Sequence, residues 1–170
     1  MMSSERPALP FDAKKHDHSQ CVADALRSAE SLCERRGARL TSLRRRVLEL
    51  VWTSHAPVGA YELLDRLSHE RARAAPPTVY RSLEFLLQHG LIHRVESLNA
   101  FVGCPHPGQS HSSQFLICRD CGIAAEMLDA DINRAIAERA AACGFAVERK
   151  TVEVRGLCPA CQTRDGAGQP

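Results

Sequence analysis

Residues 75–104 read APPTVYRSLEFLLQHGLIHRVESLNAFVGC, and the rest of the chain organises around them. The stretch opens on two prolines, which suit the first turn of a helix, where an N–H has no partner and a fixed φ helps. Val79, Leu83, Leu86 and Leu87 recur at helical spacing, and Gly90 suits the stop. The opposite face begins with Thr78, Tyr80, Arg81 and Ser82. Two short runs of strand character then flank SLNA (97–100), which predicts a hairpin. Helices followed by a hairpin make a winged helix, whose last helix enters the DNA major groove. A small helical bundle without a nucleic-acid partner stays open on topology alone.

Upstream, Val22, Ala25, Leu26, Ala29, Leu32 and Cys33 predict a helix that Gly37 ends. Thr41 is a plausible cap for a second helix, with Leu43, Val47, Leu50 and Val51 inward. APVGA (56–60) breaks it, and a third helix carries Leu63, Leu64 and Leu67. Residues 1–19 read as a mobile tail without the apolar core of a signal peptide. No apolar run approaches the ~20 residues of a membrane span. The expected compartment is the reducing cytoplasm, where structural disulfides are rare. The net charge of +2 divides into +3 over residues 1–100 and −1 over 101–170. Arg35, Arg36, Arg39, Arg44, Arg45 and Arg46 crowd one segment, as a solvated face or as a surface for a polyanion.

Downstream, HPGQSHSSQ (106–114) reads as a loop, and the hinge is placed near 97–110. QFLICRDCGIAAEML predicts two strands around a tight cysteine turn. DADINRAIAERAAACG predicts a capped helix ending at Gly144, and FAVERKTVEVRGLC a long strand. The fold class is therefore α+β. A winged-helix DNA-binding domain (20–103) precedes a small α/β dimerisation and metal-binding domain (104–163), and 164–170 form a tail.

Cys118 and Cys121 form one C-x-x-C pair, Cys158 and Cys161 another, with 36 residues between the pairs. Two such turns match a structural zinc site, each holding two sulfurs on an edge of a tetrahedron. A thioredoxin-like redox pair calls for one C-x-x-C opening a helix rather than two beside strands. A second donor set is less direct. With the hairpin turn centred on Leu98–Asn99, His93 falls opposite Cys104, Cβ atoms ~5 Å apart. That arithmetic is silent about His111 and Glu126. An ordinary strand histidine and a solvated carboxylate remain open readings. Cys33 reads as a small core residue, Cys21 and Cys143 as helical surface or core.

RLTSLRRRVLEL, PPTVYRSLEFLLQHGLIHRVES, FLICRDCG and GLCPACQ together resemble the ferric uptake regulator family, over about residues 22–161, and most of all its zinc-responsive branch. The resemblance implies a homodimeric repressor that binds DNA when loaded with metal. It implies two zinc ions per protomer: a structural one on Cys118, Cys121, Cys158 and Cys161, and a regulatory one on His93, Cys104, His111 and Glu126. The motif's DNA-reading pair falls on Tyr80 and Arg81, and the arm before LTSLR on Arg39. The histidine run that many iron-responsive members carry before the first C-x-x-C thins here to His106 and His111, and the C-terminus has no His-rich tail.

On this reading the regulatory zinc clamps the two domains so that paired winged helices meet successive major grooves, ~34–36 Å apart. A thiolate, two imidazoles and a carboxylate give the tetrahedral set that zinc prefers. On an A·T-rich palindromic operator of zinc-uptake genes, Arg81 reads a guanine edge or a phosphate and Tyr80 a thymine methyl or the backbone. Arg39 enters the minor groove, and Thr78 and Arg44 complete the contact surface. No membrane and no small-molecule substrate is expected. The alternatives are an iron- or peroxide-sensing repressor of the same family, a zinc-dependent hydrolase, and a zinc store without DNA. Four protein ligands at each site leave no open position for a catalytic water, which weighs against the hydrolase.

Overall fold

The computed structural model describes Phe11 and residues 18–70, 75–109, 111 and 113–166. Most of the expected tail at 1–19, His16 included, and residues 167–170 lie outside the described residues. The described residues form two compact units, 18–109 and 111–166 with Phe11.

The first unit is a helical winged helix. Helix α1 (His18–Arg35) starts earlier than the periodicity suggested and ends before Gly37, whose φ of 62° lies in the left-handed region that favours glycine. Helix α2 (Ser42–Trp52) is capped by Thr41, whose side chain accepts from the Arg44 N–H. It buries Val47, Leu48, Leu50 and Val51 against α1, α3 (Ala60–His69), α4 (Pro76–Gln88) and the sheet. Leu26, Leu32, Leu63, Leu67, Val79, Leu83 and Leu86 complete the core. Leu43 and Leu64 pack at its rim.

The sheet has the order β1-β3-β2, with β1 (Val58–Gly59), β2 (Ile92–Val95) and β3 (Ala100–Gly103) antiparallel. The APVGA stretch thus does more than break a helix. Two residues are too few to show the alternation by which a strand is recognised. The hairpin register also differs from expectation: His93 faces Val102, and the Cys104 N–H donates to the Leu91 carbonyl at 3.0 Å. Glu96–Leu98 forms a 3-10 turn that Asn99 closes at φ 47°, so the turn centre lies one residue earlier. A one-residue shift of the centre moves the pairing by two and keeps faces intact. Cys104 therefore stays on the His93 face as a diagonal neighbour rather than a direct one. Gly103, just before it, lies against the Trp52 indole, and a Cβ there would come within 2.1 Å of the ring.

The second unit is a three-stranded sheet of order β5-β4-β6. Strand β4 (Gln114–Cys118) runs antiparallel to β5 (Ala124–Met127) and parallel to β6 (Val152–Gly156). Helix α5 (Ala130–Ala142) makes the crossover, capped by the Asp129 carboxylate, which accepts from the Asp131 and Ile132 N–H groups. Helix α6 (Pro159–Gly166) follows. The long strand expected from Phe145 onward shrinks to Val152–Gly156. Gln114, the first residue of β4, pairs with Val152, so β4 offers no partner further upstream. Phe145 and Val147 remain exposed outside the sheet.

Candidate metal centres and nucleic-acid interface

Two turns bring the four cysteines of the second unit together. The first follows β4: Gly122 donates to the Cys118 carbonyl at 3.0 Å and takes φ 72°, which returns the chain toward β5. The second follows β6: Cys158 precedes α6 and Cys161 lies in its first turn, so this pair does open a helix, contrary to the expectation of strands alone. The four sulfurs all lie within 4.8 Å of one another, and Cys121 Sγ is 3.7 Å from Cys158 Sγ. A tetrahedron with Zn–S near ~2.3 Å has sulfurs about 3.8 Å apart, so the cluster has the size zinc requires. Cys118, Cys158 and Cys161 are buried. No disulfide joins any of the eight cysteines.

The electrostatics fit a cation as well. Backbone N–H groups, that of Cys121 foremost and those of Cys158 and Asp120 besides, lower the Cys118 thiol to about 6 against the opposing effect of burial. Burial and the neighbouring sulfurs push Cys161 up to about 11, opposed by the Arg164 guanidinium that donates to it. Four sulfurs this close cannot all ionise without a positive ion among them.

The other expected ligands are divided between the units. In the first, His93 is half-buried on β2, and Cys104 is buried on the same face of the hairpin. In the second, His111 Nε2 is 3.0 Å from Glu126 Oε1 on β5, and the Ser113 hydroxyl donates to that oxygen at 2.5 Å. The Glu126 side chain is 5% exposed, so it is not the solvated carboxylate considered as an alternative, and His111 beside it is 12% exposed. Glu126 lies opposite Phe115 in the β4–β5 ladder.

Thr78, Tyr80 and Arg81 are all exposed at the start of α4, while Val79, Ser82 and Leu83 face inward. Arg39 is exposed just before α2. The other clustered arginines are largely engaged within the unit. Arg44 lies 3.6 Å over the Phe85 ring and donates to the Arg39 carbonyl at 2.6 Å. Arg45 pairs with Glu30, and Arg46 with Glu70 and Glu49. Arg36 donates to the His89 carbonyl and Arg35 to the Ser31 hydroxyl. The run is thus a mixture of helix-bracing ion pairs and free charge, which neither reading of the sequence described. A groove of about 570 Å³ between α3, α4 and the hairpin is lined by Tyr61, Tyr80, Glu84, Arg94, Leu98 and Asn99, among others.

Residues 35–155 match the model of the ferric uptake regulator family. The chain belongs to the ferric uptake regulator family. It is 38% identical over 148 residues to the zinc uptake regulation protein of Escherichia coli (strain K12), 86% of each chain being covered. A structure of a zinc uptake regulator complexed with zinc and DNA superposes with a TM-score of 0.80 at 38% identity, over 85% of this chain and 97% of that one. The crystal structure of holo XcZur gives a TM-score of 0.75 at 46% identity, over 81% and 96%. The ferric uptake regulator family is one of transcriptional regulators and not of enzymes, which removes the hydrolase alternative. Among the described residues no helix is long and apolar enough to cross a membrane.

Two side chains of this family member escaped the sequence reading. Tyr61, 82% exposed, shares the groove with Tyr80. Its signal was present: an aromatic at a helix start, off the Leu63–Leu67 face. Arg164, three residues beyond Cys161, falls at the start of the expected tail, where nothing in the local pattern marks it as a neighbour of sulfur.

Proposed function

We propose that the chain is a cytoplasmic zinc-sensing transcriptional repressor that binds an A·T-rich palindromic operator as a zinc-loaded homodimer and controls zinc-uptake genes. The observation that carries this reading is the superposition on a zinc uptake regulator complexed with zinc and DNA, together with the exposure of Thr78, Tyr80 and Arg81 on α4. In this reading Arg81 and Tyr80 read base edges in the major groove, Tyr61 adds an aromatic contact beside them, and Arg39 enters the minor groove. Arg44 acts through the Arg39 carbonyl it holds, as well as through its charge.

Each protomer carries two zinc ions: a structural ion on Cys118, Cys121, Cys158 and Cys161, and a regulatory ion on His93, Cys104, His111 and Glu126. When bound, the regulatory zinc supplies a tetrahedral tie among side chains drawn from both units. His93 presents its donor from the hairpin of the DNA-binding domain (20–103), Cys104 from the junction, and His111 and Glu126 from the dimerisation domain (104–163). The hinge lies near 97–110. Turning a 1:99 equilibrium of operator-competent geometry to 99:1 needs ~5.5 kcal/mol of differential binding. A dimer finds support in the second unit, where β6 is at the sheet edge and Phe145, Val147 and Val154 are exposed.

The test is retardation of an A·T-rich palindromic duplex by the full chain under buffered zinc, ferrous and manganous ions, with mass measured by sedimentation. Zinc is expected to produce the retarded complex at the lowest free concentration. Cys104→Ser should abolish that response and leave the dimer mass unchanged. A zinc response that survives in Cys104→Ser, or an operator bound equally well by metal-stripped protein, defeats the reading.

A further inference from the structure

Four thiolates around one divalent zinc leave the site with a net charge of about −2, which a closed four-cysteine centre must balance with donors from outside. The structure supplies them unequally. Cys118 Sγ accepts from the backbone N–H of Cys158 at 3.4 Å. Cys161, 1% exposed and so closed to solvent cations, accepts from a guanidinium instead: Arg164 Nη2 donates to its sulfur. The two residues are three apart on α6, a spacing that stacks them on one helix face. Arg164 itself is exposed, so core packing does not account for it.

We propose that Arg164 is a positioning residue for the four-cysteine zinc site, holding the Cys161 sulfur in place and neutralising part of the site's excess negative charge so that the metal is retained. This rests on reading the four cysteines as the structural zinc site. A thiolate leaves zinc most readily when its charge is uncompensated and its direction is free. A guanidinium hydrogen bond limits both. Lysine at the same position would keep the charge and lose the fixed fork.

The experiment uses the zinc-loaded full chain in a Cys104→Ser background, so that the metal released is that of the four cysteines. Zinc content is measured first, then the rate of transfer to an excess of a chromophoric chelator, for Arg164, Arg164→Met and Arg164→Lys. Methionine is a good helix former at this exposed position, and unchanged circular dichroism verifies the fold. Arg164→Met is expected to release zinc about 10-fold faster or more, the scale on which outer partners of metal ligands act. Arg164→Lys should fall between the two. Protein that holds no zinc overturns the reading of the four cysteines and this inference with it. Zinc that is held but released by Arg164→Met at the parent rate, or faster by Arg164→Lys than by Arg164→Met, overturns the inference alone.

Discussion

In residues 18–109, four helices and a small sheet close on Leu26, Leu32, Leu48, Leu63, Leu67 and Leu86, all nearly excluded from water. Residues 111–166 bury Phe115, Ile117 and Ile123 as their large apolar side chains, alongside Ala124, Ala125 and three cysteines. Helix α5 buries none of its residues, and Phe145 is 67% exposed. The first unit has the core of an ordinary small domain. The second is too poor in buried apolar area for its size and needs a staple, a partner or both. In the second unit, then, the residues that make the fold and the residues that bind metal are the same residues.

The largest expected effect follows from that identity. Structural zinc in small domains contributes an apparent ~10–16 kcal/mol to folding. Cys158→Ser, or stripping by a strong chelator under reducing conditions, should unfold the second unit and leave the first. Hydrogen exchange should then show amides of β4, β5 and β6 unprotected while those of α2 and α4 keep their protection. Simultaneous loss of protection in both units would break the comparison.

The complementary change is smaller. Leu48→Ala removes a fully buried side chain from the centre of the first core and should cost about 2–5 kcal/mol of that unit's stability. Denaturant titration followed by Trp52 fluorescence reads it, since the chain's single tryptophan lies in this unit. Zinc content at the four cysteines should not change. Zinc loss on this substitution would show that the second unit borrows its stability from the first.

The same contrast explains what could be read in the sequence. The helices of the first unit announce themselves because Val47, Leu50, Leu63, Leu67, Val79 and Leu83 repeat at helical spacing around one core. Their ends are marked by Thr41, Pro76 and Gly90, whose backbone chemistry is local. The two C-x-x-C turns were legible for the same reason, since each is a short-range geometry. What depended on pairing was not. The hairpin register turned on a left-handed Asn99 that spacing does not reveal, and β6 is short because β4 begins at Gln114. Arg44, Arg45 and Arg46 look alike in the sequence, yet Arg44 lies on the Phe85 ring of α4, Arg45 reaches Glu30 of α1 and Arg46 reaches Glu70 at the end of α3, partners that only the packing of the helices brings near. The contact of His111, upstream of β4, with Glu126 on β5 likewise joins residues far apart in the chain, and only the family resemblance pointed to it.

The smallest effect concerns acid, and it separates the units by mechanism. Arg46 Nε donates to both Glu70 oxygens, at 3.1 and 2.9 Å, and ties the end of α3 to α2. These hydrogen bonds lower the Glu70 carboxyl below its ordinary value, against the opposing effect of burial and with some help from the Arg46 charge. A carboxyl whose folded pKa is depressed stabilises fully above its unfolded value, and the contribution is lost as pH falls through the folded value. Both side chains are about one-third exposed or more, so screening holds the pair to at most about 1 kcal/mol. Glu70→Gln should therefore lower the first unit's melting temperature slightly at neutral pH, with the two proteins converging as pH falls through the lowered folded pKa of Glu70. The second unit should fail earlier on the same acid titration, because protons compete directly with zinc for the thiolates. If the first unit melts before zinc leaves, its stability owes more to ion pairs such as Arg46–Glu70 than to the leucine core, and the contrast between the units is drawn in the wrong place.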